Sequence, residues 1–143
     1  MIYSIGYERL DPAELLRLAN RLDATVVDVR GSHRRTRAGY SEQAMRALLG
    51  ERYDWRPTTL GNAGGNHVQA SGLEALYMDP GNAILLCVEE AAGDCHRYSE
   101  IAVPLLEQYG EDVRHIYRGQ VARTSAMLRA YAENTPCEME EIA

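Results

Sequence analysis

The stretch ILLCVEEAAGDCHRYSEIAVPLL, residues 84–106, decides how this chain folds. It opens inside NAILLCV, residues 82–88, an apolar run of the length and composition of a strand covered on both faces. An acidic link leads to Asp94-Cys95-His96-Arg97. From Ser99 onward the apolar residues return at helical spacing. Pro104 suits that helix only near its first turn, where a missing N–H is harmless. A doubly covered strand feeding a helix is the building unit of a parallel sheet.

Moving outward, the same alternation recurs. IYSIG (2–6) reads as a short strand. Asp11 is an N-cap with Pro12 in the first turn and Glu14 three residues on, and Leu15, Leu16, Leu18, Ala19 and Leu22 form an apolar helical face. ATVVDV (24–29) is a second buried strand. Ser41 caps a helix carrying Met45, Leu48 and Leu49 that ends at Gly50. YDWRPT (53–58) reads as a third strand limited by Pro57. TTLGNAGGNHVQASG (58–72) reads as a shaped loop, SGLEALYM (71–78) as a short helix, VRHIY (113–117) as a strand and VARTSAMLRAYAEN (121–134) as a last helix. The acidic residues 136–143 are expected to be a peripheral tail. The expectation is a single domain, residues 1–143, of the three-layer α/β class with a mostly parallel sheet. Ligands of such sheets sit beyond the C-terminal strand ends. That rule draws together Gly6-Tyr7, Asp28–Arg30, the loop from Thr59, and Cys87 through Arg97.

Composition narrows the class. Of 143 residues, 45 % are hydrophobic, enough for one real core and too many for a disordered chain. No apolar run has the length of a membrane span, and MIYSIGYERLD lacks the pattern of a secretion signal. Three cysteines do not make a disulfide framework, so a reduced, cytoplasmic setting and no membrane partner are expected. A net charge of -6 argues against a broad nucleic-acid coat. All 15 basic residues are arginine, however, and four of them cluster with His33 in RGSHRRTR (30–37).

The candidate chemistry lies at the expected strand exits. Cys95, at a helix start, is a candidate thiolate, with His96 beside it. Glu89 shares side-chain phase with Cys87 along the strand, and its carboxylate is a candidate for orienting or deprotonating a ligand group. Cys87 itself reads as core. Asp28, Arg30, Arg34, Arg35 and Arg97 are candidates for holding a phosphate or another anion, with Asp28 fixing Arg30. Gly61 and Asn62 belong to a loop whose glycines admit close backbone approach, though GNAGG is neither a P-loop nor a dinucleotide fingerprint. Tyr3, Tyr7, Tyr40 and Trp55 are candidates for base stacking if one borders the same crevice. Cys87 and Cys95 lack the close spacing of a zinc knuckle, so neither a metal nor another cofactor is expected.

YSIGY near the start, VVDVR, LGNAGG, LLCVEEAAGDCHR and RHIYRG together resemble the DUF488 family over nearly the whole chain. The strand-Cys-x-Glu segment followed by Cys-His-Arg is the most specific part. The matching positions are Gly6, Asp28, Arg30, Leu60, Gly61, Cys87, Glu89, Cys95, His96 and Arg97. The chain departs from the pattern after Asp-Val-Arg, where GSHRRTR stands in place of an early proline. It departs again at Asn62, where the family's middle motif has a second glycine. The resemblance implies a compact α/β domain with ordered loops near one sheet edge, and no particular activity.

The functional expectation is an enzyme-like domain binding a small anionic ligand, a nucleotide first, as a hydrolase or transferase. Glu89, Cys95 and His96 are its catalytic candidates. The alternatives are a non-catalytic nucleic-acid-binding or regulatory module, and a metal or thiol-redox protein.

Overall fold

β1 (Ile2–Gly6) is buried along its whole length and leads through α1 (Pro12–Arg21) to β2 (Ala24–Asp28). Asp11 caps α1 by accepting the Ala13 N–H at 2.9 Å, and Pro12 occupies the first helical turn. α2 (Glu42–Leu49) starts at Ser41, whose hydroxyl accepts the Ala44 N–H, and stops at Gly50. Then come β3 (Tyr53–Trp55), α3 (Pro57–Leu60), α4 (Ala70–Met78) and β4 (Asn82–Cys87). A widened, π-type turn over Arg97–Ala102 runs straight into α5 (Val103–Tyr109). β5 (Arg114–Tyr117), β6 (Gln120–Arg123), α6 (Thr124–Glu133) and β7 (Glu140–Glu141) complete the chain. This computed structural model describes residues 1–34 and 36–142.

The seven strands form one sheet in the order β3-β2-β4-β1-β5-β6-β7. The first five pair in parallel, and β6 and β7 add antiparallel at one edge. Helices cover both faces, which makes a three-layer α/β domain. On one face Leu15 and Ala19 of α1 and Met45 and Leu49 of α2 pack against Ile5, Val26, Ile84 and Leu86. On the other, Leu73 and Leu76 of α4 and Leu105 of α5 pack against Val27, Leu85, Cys87 and Val113. Consecutive strand residues point to opposite faces, so a strand covered twice has no polar side to show. Each fully buried Leu or Ile in these layers contributes about 1.5–3 kcal/mol.

Three segments differ from their sequence reading. The third strand ends at Trp55, because Pro57 starts α3 and the residue before a proline turns away from the ladder. Residues 121–123 are strand, not helix. Arg118 and Gly119 both have positive φ (49° and 83°), the backbone of a tight hairpin turn that sends the chain back along β5 before α6 begins at Thr124. The helix of the opening stretch begins at Arg97 rather than Ser99, and Pro104 falls near the seam where the wide turn meets α5. Within the segment expected to be peripheral, Glu140 and Glu141 pair with β6 at the sheet edge, and Ile142 is buried in the core. Among the described residues no helix is long and apolar enough to cross a membrane.

Candidate functional site

The parallel register brings the strand exits level: Asp28 lies opposite Leu86, and Cys87 opposite Gly6. From β2 the chain turns toward α2 on one face, and from β4 toward α5 on the other. Where neighbouring strands part in this way, a crevice forms outside their C-terminal ends. Here it is an open cleft of about 290 Å³. Arg30, Gly31, Ser32, Asn62, Cys87, Glu89, Asp94 and His96 line it.

Cys87 and His96 line the cleft, and Cys95 is clustered with them just beneath. Cys87, Cys95 and His96 are all buried, and their Sγ and ring nitrogen atoms lie within 4.8 Å of one another. His96 Nδ1 is 3.6 Å from Cys87 Sγ and 3.9 Å from Cys95 Sγ. His96 Nε2 faces two carbonyl oxygens, Val29 O at 2.9 Å and Leu60 O at 3.0 Å. Carbonyls only accept, so Nε2 carries a proton and Nδ1 is the atom offered to the sulfurs. The backbone at Cys95 is extended, and its carbonyl accepts the N–H groups that open the following helix, so Cys95 is in effect a cap. The neighbouring Cys95, with burial, pushes the Cys87 thiol up, whereas the neighbouring Cys87 pulls the Cys95 thiol down against burial, and His96 and Arg97 pull it the same way. Burial pushes the His96 imidazole down, and the neighbouring Cys95 more than offsets this, so it lies above its usual value. Burial, and after it the Cys95 sulfur, raises the Glu89 carboxyl above the ordinary range.

Arg97 is not at the cleft surface, where sequence reasoning had it gripping a ligand. It is fully buried. Its Nε donates to Ser4 Oγ at 3.0 Å, Nη1 to Glu89 O at 2.8 Å and Nη2 to Glu90 O at 3.4 Å. Among the described residues no carboxylate oxygen lies within 4 Å of the guanidinium. From Ser4 the donations run on in one direction. Ser4 Oγ donates to His115 Nδ1 at 2.5 Å, His115 Nε2 to Thr124 Oγ1 at 2.9 Å, and Thr124 to Val113 O at 3.0 Å. Burial first, and then the charge of Arg97, holds His115 down to about 3. Ser4, His115 and Thr124 are functional-site supports that the sequence reading missed. Their signal was a polar residue at an all-buried position of β1 and another in β5. Gly6 is required here as well, since a Cβ on it would sit 1.7 Å from Glu89 O, the carbonyl that Arg97 grips.

The second arginine is engaged too. Asp28 is fully buried and accepts from Arg30 N, Nε and Nη2 at 3.0, 2.9 and 2.6 Å, from His33 Nε2 at 2.9 Å and from Tyr53 OH at 2.5 Å. Burial pushes the Asp28 carboxyl up, and the bonds and charge of Arg30 with the Tyr53 bond more than offset it, so it lies below the usual range. Arg30 Nη1 donates to Thr36. The Asp28–Arg30 pair therefore shapes one wall of the cleft instead of meeting an anion. Arg34 is exposed on the same loop, and Arg35 lies outside the described residues. Tyr7 stacks on Tyr40 and Trp55 on His33, and none of the four proposed stacking aromatics lines the cleft.

Asn62 borders the cleft and is exposed. Gly61 is buried behind it, where a Cβ would meet Pro57 O at 2.5 Å and Gly31 Cα at 2.6 Å. The glycine loop thus packs tightly against the β2 exit, and its working group is the Leu60 carbonyl that holds His96. In sum, Glu89, His96, Arg30 and Asn62 meet at one cleft with Cys95 beneath. Cys87 joins them, and Arg97, Asp28 and Gly61 stand behind. Comparison with family models, with curated proteins and with solved structures gave no match.

Proposed function

We propose that this chain is an enzyme, a hydrolase or group-transfer enzyme, acting on a small ligand in the cleft outside β2 and β4. One observation carries the reading. Three side chains able to do chemistry, Glu89, Cys87 and His96, line a single concave site on the C-terminal edge of a parallel sheet, with Cys95 clustered directly beneath them. Glu89 is the proton-transfer group, since it borders the cleft and burial, with the Cys95 sulfur after it, raises its carboxyl above the ordinary range. The DUF488 resemblance supports the same site, because its most specific positions are Cys87, Glu89, Cys95, His96 and Arg97.

The ligand class is small, polar molecules, with nucleosides and nucleotides first. A hollow of about 290 Å³ admits one base or one comparable group and not a folded polymer. Arg30 and Arg97 already hold protein acceptors, so recognition falls to Asn62, Ser32 and the loop backbone, with exposed Arg34 for a charged end. A net charge of -6 also favours a small ligand over a long nucleic acid.

The test is a panel of nucleosides, nucleotides and simple polar esters and amides, followed by binding calorimetry and turnover. Glu89→Gln should retain binding of whichever compound is turned over and lose about 100-fold or more in kcat. Equal turnover in the variant, or binding to long nucleic acid alone, would reject this reading.

A further inference from the structure

We propose that Cys87, Cys95 and His96 form a three-ligand site for a thiophilic divalent cation, zinc first, with its fourth position turned to the cleft. This deepens the reading of the site given above and rests on it for the reaction, though not for the binding of the metal.

The distances carry the argument. Zinc binds sulfur at about 2.3 Å and imidazole nitrogen at about 2.0–2.1 Å, so a tetrahedral site needs N···S edges of about 3.6 Å and an S···S edge of about 3.8 Å. His96 Nδ1 lies 3.6 and 3.9 Å from the two sulfurs, and all three donor atoms fall within 4.8 Å of one another. A closing movement of a few tenths of an ångström to about 1 Å completes the tetrahedral face.

The supports have the form of a metal centre. A ligating histidine ordinarily donates its far N–H to a carbonyl or carboxylate, which fixes the ring and its tautomer. His96 does so with two carbonyls, one from the β2 exit and one from the glycine loop. That leaves the Nδ1 lone pair for a cation. Soft sulfur donors beside an imidazole select zinc over magnesium or calcium, which take oxygen.

The site is open on one side. Cys87 and His96 border the cleft, whereas Cys95 lies beneath it. Three protein ligands with a free position is the pattern of catalytic rather than structural zinc. Glu89 stands outside the trio on the same cleft. In hydrolysis it takes a proton from the attacking water, the water oxygen bonds to the electrophilic carbon, and the proton passes to the leaving group as that carbon's old bond breaks. Linear spacing hides this site, because Cys87 ends a strand and Cys95 starts the next helix.

The experiment uses the full chain, reduced and stripped with a chelator, then titrated with zinc alone and, separately, with cobalt(II). One equivalent of zinc per chain is expected, and cobalt should give thiolate-to-metal charge-transfer absorption with the strong visible bands of tetrahedral geometry. Cys87→Ser and Cys95→Ser should each lose the one-equivalent binding, and Cys137→Ser should keep it. The proposal is overturned if the reduced wild-type chain retains no zinc and shows no cobalt–thiolate band, or if zinc binds equally to the Cys87→Ser and Cys95→Ser variants. The wild-type cobalt spectrum decides the matter even if a variant fails to fold. Turnover lost in Glu89→Gln without any bound metal would sink the metal and leave the enzyme reading standing. Zinc at one equivalent with a Glu89→Gln variant of unchanged turnover would do the reverse.

Discussion

Arg97 sets the terms for this site although it does not line the cleft. Burying a guanidinium is costly unless each of its donors finds an acceptor. Here the acceptors are Ser4 and two carbonyls of the segment that carries Glu89 and Glu90, so the cation positions that segment. Its charge also favours a thiolate at Cys95 over a thiol. Arg97→Met is expected to cost about 3 kcal/mol or more, because Ser4 and the two carbonyls lose their donor in the interior. Arg97→Lys should recover little of that loss, since an ammonium cannot reproduce the planar fork. Urea unfolding of both variants checks this, and a lysine variant as stable as wild type would show that charge alone suffices.

Between elements, the buried chain Arg97–Ser4–His115–Thr124 ties the start of the long helix to β1, β5 and the start of α6. Every proton in it is assigned by the direction of donation. Thr124 gives its proton to the Val113 carbonyl and so accepts from His115 Nε2–H, and with burial keeping His115 neutral its Nδ1 accepts from Ser4. The consequence is a pH dependence of stability. The folded value is held down to about 3, against about 6.5 for an unfolded histidine. The folded form is therefore fully favoured above about pH 6.5, and the advantage falls as pH drops through the window toward 3, where the unfolded chain binds a proton that the folded chain refuses. His115→Gln should be less stable near neutral pH and yet show a shallower loss between about pH 6.5 and 4. Thermal melts across that range would disprove the assignment if both proteins had the same slope.

On the scale of the whole molecule, the cleft and the sheet's antiparallel edge are separate. β2 and β4 carry the site, and three strands stand between β4 and β7. Ile142 follows β7 and is 8 % exposed, packed with the same core layer as Ile116 and Val121. Ile142→Ala should cost about 2 kcal/mol in unfolding while leaving ligand and zinc affinity at the cleft unchanged. A loss of affinity that followed the loss of stability would mean that the edge and the site are coupled.

Much of this architecture was legible in the chain itself. NAILLCV and ATVVDV are near-continuous apolar runs because both sheet faces are covered. Asp11-Pro12 and Ser41 announce helix starts because a cap acts on N–H groups two or three residues away. The parallel class then implied a crevice at the strand exits, and Glu89, Cys95, His96 and Arg30 did gather near it. What depended on distant partners was not legible. Whether an arginine meets a ligand or a carbonyl is set by its burial, and nothing local to Arg97 reveals that Ser4 and Glu89 O await it. The Cys87–Cys95–His96 cluster needs β4, the next helix, the β2 exit and the glycine loop to converge. Local propensity acts over a turn of helix or a few strand residues, whereas those contacts span up to 93 positions and exist only once the sheet has closed.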